Sequence, residues 1–151
     1  MRVLMNTNSS RHSESGFTLL EVLIAMLVLS IGLLGLAGLQ ATGIRNNHSA
    51  YMQSQAISYG YDIIDQMRAN RLSALSGTYN IAIGDAAPTG TTIAETDLRE
   101  WKNLIATSLL AGDASANVNG GVVTVVVQWD DRRAEGNDAA TIKNITVQTE
   151  L

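Results

Sequence analysis

The stretch Phe17–Leu39 reads FTLLEVLIAMLVLSIGLLGLAGL, and 15 of its 23 residues are Val, Ile, Leu, Met or Phe. The same five residue types supply only 26 of the 112 residues from Gln40 to Leu151. A helix of this length extends about 35 Å, because each residue adds about 1.5 Å, and the hydrocarbon core of a bilayer is about 30 Å thick. The sequence therefore predicts a membrane-spanning helix followed by a much less apolar domain.

The charges beside this stretch predict its orientation. Residues 1–16 carry Arg2 and Arg11 against Glu14, whereas the first charge after the stretch is Arg45. Loops rich in Arg and Lys tend to stay in the cytoplasm. We therefore expect a cytoplasmic leader, one membrane crossing, and a remainder in the periplasm or outside the cell.

Two other N-terminal signals compete with this interpretation. A secretory signal peptide has an apolar region of about 7–15 residues and a cleavage site of the A-x-A kind. Here the apolar region is longer, and Gly38–Ala41 matches such a site poorly. A plain signal anchor fits the length equally well, so length alone does not exclude it.

Glu21 is the one charged residue within the apolar stretch. A carboxylate at mid-bilayer costs about 2.5–3.5 kcal/mol, less near the headgroups, and such a residue is by default a candidate functional site. The alternative is an interfacial glutamate whose side chain reaches water. The immediate context, Gly16-Phe17-Thr18-Leu19-Leu20-Glu21, favours the functional interpretation.

This context, followed by about twenty apolar residues, resembles the class III signal of type IV prepilins and type II secretion pseudopilins. The resemblance implies that a prepilin peptidase cuts between Gly16 and Phe17 on the cytoplasmic side and methylates the new Phe17 amine. It also implies that Glu21 pairs with a subunit's N-terminal ammonium during filament assembly. Opposite charges in a low-dielectric environment favour one register, and an unpaired carboxylate there stays costly.

Downstream segments are similar to the PilV family of type IV pilus minor pilins, also called pilus modification proteins. The similar segments are GLLGLAGLQATGIRNNHSAYMQSQA, YDIIDQMRANR and VVVQWDDRR. Two features depart from the usual pattern. The leader is long, so that Met5 is an alternative start, and the only proline is Pro88, whereas major pilins usually carry one in the anchor helix.

The resemblance implies a non-enzymatic subunit that joins other minor pilins to prime or cap the type IV pilus and serves twitching motility. Its partners would be other minor pilins, the major pilin, the prepilin peptidase and the inner membrane, and the subunit could enter the extracellular pilus. The rivals are a minor pseudopilin of the GspI kind and a single-pass anchored enzyme or sensor. The expected parts are a cleaved leader at residues 1–16, an assembly helix at 17–39, a periplasmic half-helix at 40–75 and a head at 76–151.

Composition excludes several classes of function. Ten Lys and Arg against 14 Asp and Glu give a net charge of −4, which argues against nucleic acid as a partner. No cysteine is present, so disulfides, zinc-thiolate sites and cysteine nucleophiles are excluded. No catalytic or cofactor motif can be assembled around the two histidines, and we expect His48 on a helix surface. We expect neither cofactor nor metal.

Apolar periodicity predicts that the first helix continues to about Leu75. The predicted buried stripe consists of residues at steps of three to five: Ile57, Tyr61, Ile64, Met67, Leu72 and Leu75. The helix also contains Gly32, Gly35, Gly38 and Gly43, whose 3-3-5 spacing is not a GxxxG seam. They are either tolerated small residues or a flexible, close-packing stretch used in assembly.

The rest of the chain predicts a small αβ head. We expect a short strand at Tyr79–Ile83 and a loop at Gly84–Thr91, followed by a second helix with Trp101 in the core. This helix starts either at Thr96 or Asp97 or at a capping box, Thr92-x-x-Glu95, and it ends at Gly112. The run Val122–Trp129 and a strand at Thr141–Thr149 predict an antiparallel hairpin packed on the long helix. Alternation places four residues of the first strand on one face: Val123, Val125, Val127 and Trp129. The expected fold class is α+β, of the type IV pilin-like kind.

The link between these two strands is acidic. Its carboxylates, Asp130, Asp131, Glu135 and Asp138, could offer oxygen ligands to calcium. Their spacing fits no EF-hand loop, and Arg132 and Arg133 stand beside the first pair. We therefore favour a solvated turn held by local ion pairs.

Overall fold

The computed structural model describes residues 17–132 and 139–151. The expected leader with Gly16 at its end, and Arg133, Glu135 and Asp138 of the acidic link, lie outside the described residues. The chain divides into two units, of which the first ends at Gln40 and the second is Ala41–Leu151.

Helix α1, Leu19–Ala69, begins in the first unit and contains the apolar stretch apart from Phe17 and Thr18. Every described side chain of that unit is exposed, so its Leu, Ile, Val and Met residues have no packing partner within the unit. Among the described residues, α1 is the one helix that is long and apolar enough to cross a membrane.

The predicted continuous helix to Leu75 is interrupted at Asn70. Helix α1 ends at Ala69, and a short helix, α2, follows at Arg71–Leu75. Asn70 has φ −118° and ψ 47°, outside the helical region, and its Nδ2 donates a hydrogen bond of 3.3 Å to the Tyr79 hydroxyl. A contact with a residue further along the chain therefore accompanies the break.

Helix α3, Ile93–Ser108, begins at the capping box that was one of the two predicted starts. The Glu95 N–H donates to Thr92 Oγ1 at 3.3 Å, and the Thr92 N–H donates to Glu95 Oε2 at 3.1 Å. Reciprocal bonds of this kind satisfy two helix-end donors at once. Trp101 is buried, as predicted, and its Nε1 donates to the Tyr59 carbonyl of α1 at 2.8 Å.

Three strands form an antiparallel sheet in the order β1-β2-β3: β1 is Asp113–Asn119, β2 is Val122–Asp130 and β3 is Ile142–Glu150. Gly120 and Gly121, both with positive φ, join β1 to β2. The β2–β3 hairpin agrees with the prediction, but β1 was not predicted. The predicted strand at Tyr79–Ile83 is reduced to a bridge between Ile81 and Ala116.

The core of the second unit lies between the sheet and the two long helices. One face of β2 supplies the four predicted residues, Val123, Val125, Val127 and Trp129. The predicted stripe of α1 is partly wrong, because Ile57, Tyr61, Leu72 and Leu75 are exposed, whereas Ala56, Gly60, Ile63, Ile64 and Met67 are buried. The buried face of α1 is rotated from the predicted one because β3 packs closely on Gly60. A Cβ added at Gly60 would lie 3.1 Å from Val147 Cγ2.

The architecture confirms the α+β class, with a long N-terminal helix and a small antiparallel sheet.

Candidate functional site

The candidate site lies where α1 begins. Phe17 and Thr18 precede the helix, and Phe17 is 83% exposed. The Glu21 N–H donates to the Thr18 carbonyl at 3.1 Å and to Thr18 Oγ1 at 3.2 Å, so Thr18 caps the helix. Capping by Thr18 fixes Glu21 in the first turn, where the helix dipole favours a negative charge.

Two of the predicted site residues, Phe17 and Glu21, lie beside the same shallow groove of about 370 Å³. The other lining residues are apolar: Val22, Ala25, Met26 and Leu29. Glu21 therefore presents a carboxylate on a surface that otherwise offers only hydrocarbon. The third predicted residue, Gly16, lies outside the described residues.

The glycines of α1 leave open space on the helix surface. An added Cβ at Gly32, Gly35, Gly38 or Gly43 would meet nothing within 4 Å. Contacts within the described chain therefore do not require glycine at these positions.

Comparison with known families gives a match at the N-terminal end of the chain. A model of the prokaryotic N-terminal methylation motif matches residues 11–37. The match supports a type IV pilin-like or pseudopilin protein. No curated protein and no solved structure matches the chain. The match includes only the first six residues of the segments that resemble PilV, so it supports the pilin-like class and not a particular pilin.

The matched residues include Phe17, Thr18 and Glu21 at the start of α1. A prepilin signal suggests processing by a prepilin peptidase, anchoring in a membrane and assembly with pilins. Pilins and pseudopilins are structural subunits and are not typically enzymes. The apolar, exposed first unit agrees with a membrane-anchoring role.

The acidic link differs from its prediction in one respect. Asp130 and Asp131 were expected in a solvated turn, but both are buried. Arg132 pairs with Asp130, and this hydrogen bond lowers the Asp130 pKa to about 2. Lys143 Nζ and Ser49 Oγ lie 2.7 and 2.6 Å from Asp131 Oδ2. Burial alone raises the Asp131 pKa, but these hydrogen bonds outweigh it, so that the pKa lies below its ordinary value.

The carboxylates of Asp130 and Asp131 form ion pairs with the side chains of Arg132 and Lys143. Among the described residues, no group of three or more His, Cys, Asp or Glu side chains could hold a metal ion. His48 lies on the exposed surface of α1, as predicted, and contributes to the lowered pKa of Asp131.

Sequence reasoning missed two buried polar clusters in the second unit. Lys102 Nζ donates to Asp113 Oδ1 at 2.6 Å and to the Ala114 carbonyl at 3.2 Å. The Tyr79 hydroxyl donates to Asp97 Oδ2 at 2.5 Å, and burial raises the Tyr79 pKa to about 12. No local sequence motif predicts either cluster, because the residues of each cluster come from separate elements of the fold.

Proposed function

We propose that the chain is a minor pilin of the PilV kind. The prepilin peptidase would cut between Gly16 and Phe17 and methylate the Phe17 amine. The subunit would then remain anchored in the inner membrane, with its head in the periplasm. Other minor pilins would draw it into a complex that primes or caps the type IV pilus.

One observation carries this proposal: a lone carboxylate, Glu21, stands on a helix whose apolar side chains are all exposed in the first unit. Such a surface is stable in water only when lipid or other helices cover it. In either environment an unpaired carboxylate is costly, so a cation on the covering partner lowers the free energy. The methylated Phe17 ammonium of a neighbouring subunit is such a cation.

Glu21→Gln tests this role, because glutamine keeps the side chain's shape and removes its charge. We expect intact-mass measurement to find the chain cleaved before Phe17, since the cut precedes the substituted residue by several positions. Loss of one charged hydrogen bond should lower surface piliation about tenfold. Glu21→Asp is the matched control, because it retains the charge and should retain part of the assembly. Normal piliation in the Glu21→Gln strain would contradict the proposal.

The methylation motif is shared by pilins and pseudopilins, so a second experiment separates the two machines. Deletion of the gene should abolish twitching motility and leave type II secretion unchanged. The opposite result would identify a minor pseudopilin. A single-pass anchored enzyme or sensor would retain residues 1–16, which the intact mass also detects.

A further inference from the structure

The two edge strands of the sheet, β1 and β3, differ in whether the rest of the chain hydrogen-bonds to their outward backbone groups. Strand order and register determine which backbone groups point away from the sheet. The Thr141 carbonyl accepts from Asp131, and the Leu151 N–H donates to Gly121, so the odd-numbered residues of β3 face β2. The even-numbered residues therefore point their N–H and C=O groups outward: Ile142, Asn144, Thr146, Gln148 and Glu150.

On the β1 edge, the chain itself occupies the outward groups. Ala116 exchanges two backbone hydrogen bonds with Ile81, at 2.9 and 3.0 Å. The Val118 N–H donates to Asn80 Oδ1 at 2.7 Å, and the Ala114 carbonyl accepts from Lys102. The segment from Asn80 to Ile81 thus covers this edge.

The β3 edge has no such cover among the described residues. The outward backbone groups make no hydrogen bond there, apart from a 3.4 Å contact from the Thr149 hydroxyl to the Glu150 carbonyl. Edge strands are usually protected by proline, a bulge or an outward lysine. β3 contains no proline, pairs with β2 over nine consecutive residues without a bulge, and directs its one lysine, Lys143, to Asp131.

Apolar side chains are also exposed beside this edge. Ile57, Tyr61, Ile64 and Arg68 form one ridge of α1, at steps of four, three and four residues. Arg68 Nη2 donates to Thr149 Oγ1 at 3.2 Å, and a Cβ added at the neighbouring Gly60 would lie 3.1 Å from Val147 Cγ2, so the ridge runs along β3. Ile57 is 38% exposed and Tyr61 50%, and Ile145 and Val147 on the inner face of β3 are half-buried. One more strand would cover these side chains and satisfy the backbone groups together.

We propose that the free edge of β3 accepts a β-strand from the head of a different pilin-like subunit. The proposal rests on the proposed function. The incoming strand supplies alternating N–H and C=O groups, apolar side chains on the inner face beside Ile145 and Val147, and polar side chains on the outer face beside Asn144 and Gln148. Strand addition of this kind derives its affinity from the main chain and its specificity from alternate side chains.

A second copy of the chain fits this edge poorly. Two identical strands paired antiparallel are related by a two-fold axis normal to the sheet. Because α1 underlies β3, its Ala41–Ala69 stretches would run in opposite directions in the two copies. Subunits anchored by the same N-terminal segment leave the membrane at the same end of this stretch, so the geometry favours a different protein.

The experiment uses the full chain in its native membrane, with a photo-reactive phenylalanine analogue at Gln148. Irradiation should give an adduct with a second protein that carries its own prepilin signal, at a residue of an extended strand. Thr146→Pro removes one outward N–H without touching the β2 ladder and should lower the adduct yield about tenfold. Thr146→Val is the matched control, because it also loses the hydroxyl but keeps the N–H, and its yield should stay within about twofold.

Asn144→Pro provides a second variant at another outward position, and a cooperative thermal transition in detergent identifies which variants fold. An unchanged adduct yield in a folded proline variant would overturn the proposal, as would an adduct with a second copy or at a helix. If pilin-like proteins co-purify equally with the unsubstituted chain and the proline variant, this inference alone fails. If none co-purifies with the unsubstituted chain, the proposed function fails with it.

Discussion

Ser49 Oγ, on α1, donates a hydrogen bond of 2.6 Å to Oδ2 of Asp131, which lies 82 positions later in the chain. The same carboxylate pairs with Lys143 of β3. One buried group thus joins the helix, the end of β2 and the beginning of β3.

Asp131→Asn should therefore destabilise the head. The amide removes the negative charge that faces Lys143 and keeps only one acceptor oxygen. Because Lys143 is partly exposed and can turn to water, we expect a loss of about 1–3 kcal/mol in the free energy of unfolding. Urea unfolding monitored by circular dichroism measures it. Asp62→Asn, at an exposed position of α1, is the control and should change stability by less than about 0.5 kcal/mol.

Stability should fall in acid because of Asp130. Its folded-state pKa of about 2 lies below the ordinary value, so its contribution is fully present above pH ~4 and is lost as the pH falls towards 2. The lowered pKa values of Asp113 and Asp131 act in the same direction. Urea midpoints between pH 5 and 2 should decline, and less steeply in Asp130→Asn. Equal slopes in both proteins would refute this assignment.

Tyr79→Phe should loosen the segment that follows the break after α1. Phenylalanine fills the buried site but leaves Asp97 and Asn70 without the hydroxyl that joins them. We expect a loss of about 1–2 kcal/mol. Tyr61→Phe, on an exposed side chain, serves as the comparison. In ultraviolet titration, Tyr79 should ionise only at strongly alkaline pH, because its pKa is about 12 and its ionisation opposes the fold.

Gly60→Leu should separate β3 from α1. Even a Cβ at this position lies close to Val147, and a larger side chain must displace the strand. Leucine is a good helix former, so the loss of about 1–3 kcal/mol reports on packing. Gly43→Leu, where the surface is open, should be neutral or slightly stabilising. Thermal unfolding measures both variants, and a larger loss in Gly60→Leu than in Gly43→Leu shows that β3 packs on α1 at Gly60.

The sequence predicted features that depend on neighbouring residues. The capping box Thr92-x-x-Glu95, the burial of Trp101 and the inward face of β2 all follow from local spacing. The candidate site is also local, because Phe17, Thr18 and Glu21 lie within five residues at one helix start.

Features that depend on distant partners were not predictable. The sequence of β1, DASANVN, has low strand propensity, and this segment becomes a strand through its pairing with β2. The buried face of α1 was misplaced because the small residues Ala56 and Gly60 face the core, whereas Ile57 and Tyr61 are exposed. The ion pairs of Lys102 and Asp131 join residues that only the fold brings together.

The two tryptophans give the head its own optical reporters. Trp101 lies between α3 and α1, and Trp129 lies at the end of β2 beside the buried aspartates; both are 2% exposed. Residues 1–16 contain no tryptophan, so the proposed cut before Phe17 would keep both reporters in the chain. A chain that retains only Trp101 would report the docking of α3, and one that retains only Trp129 would report the integrity of the sheet. Fluorescence can thus follow the two halves of the head separately, without an attached dye.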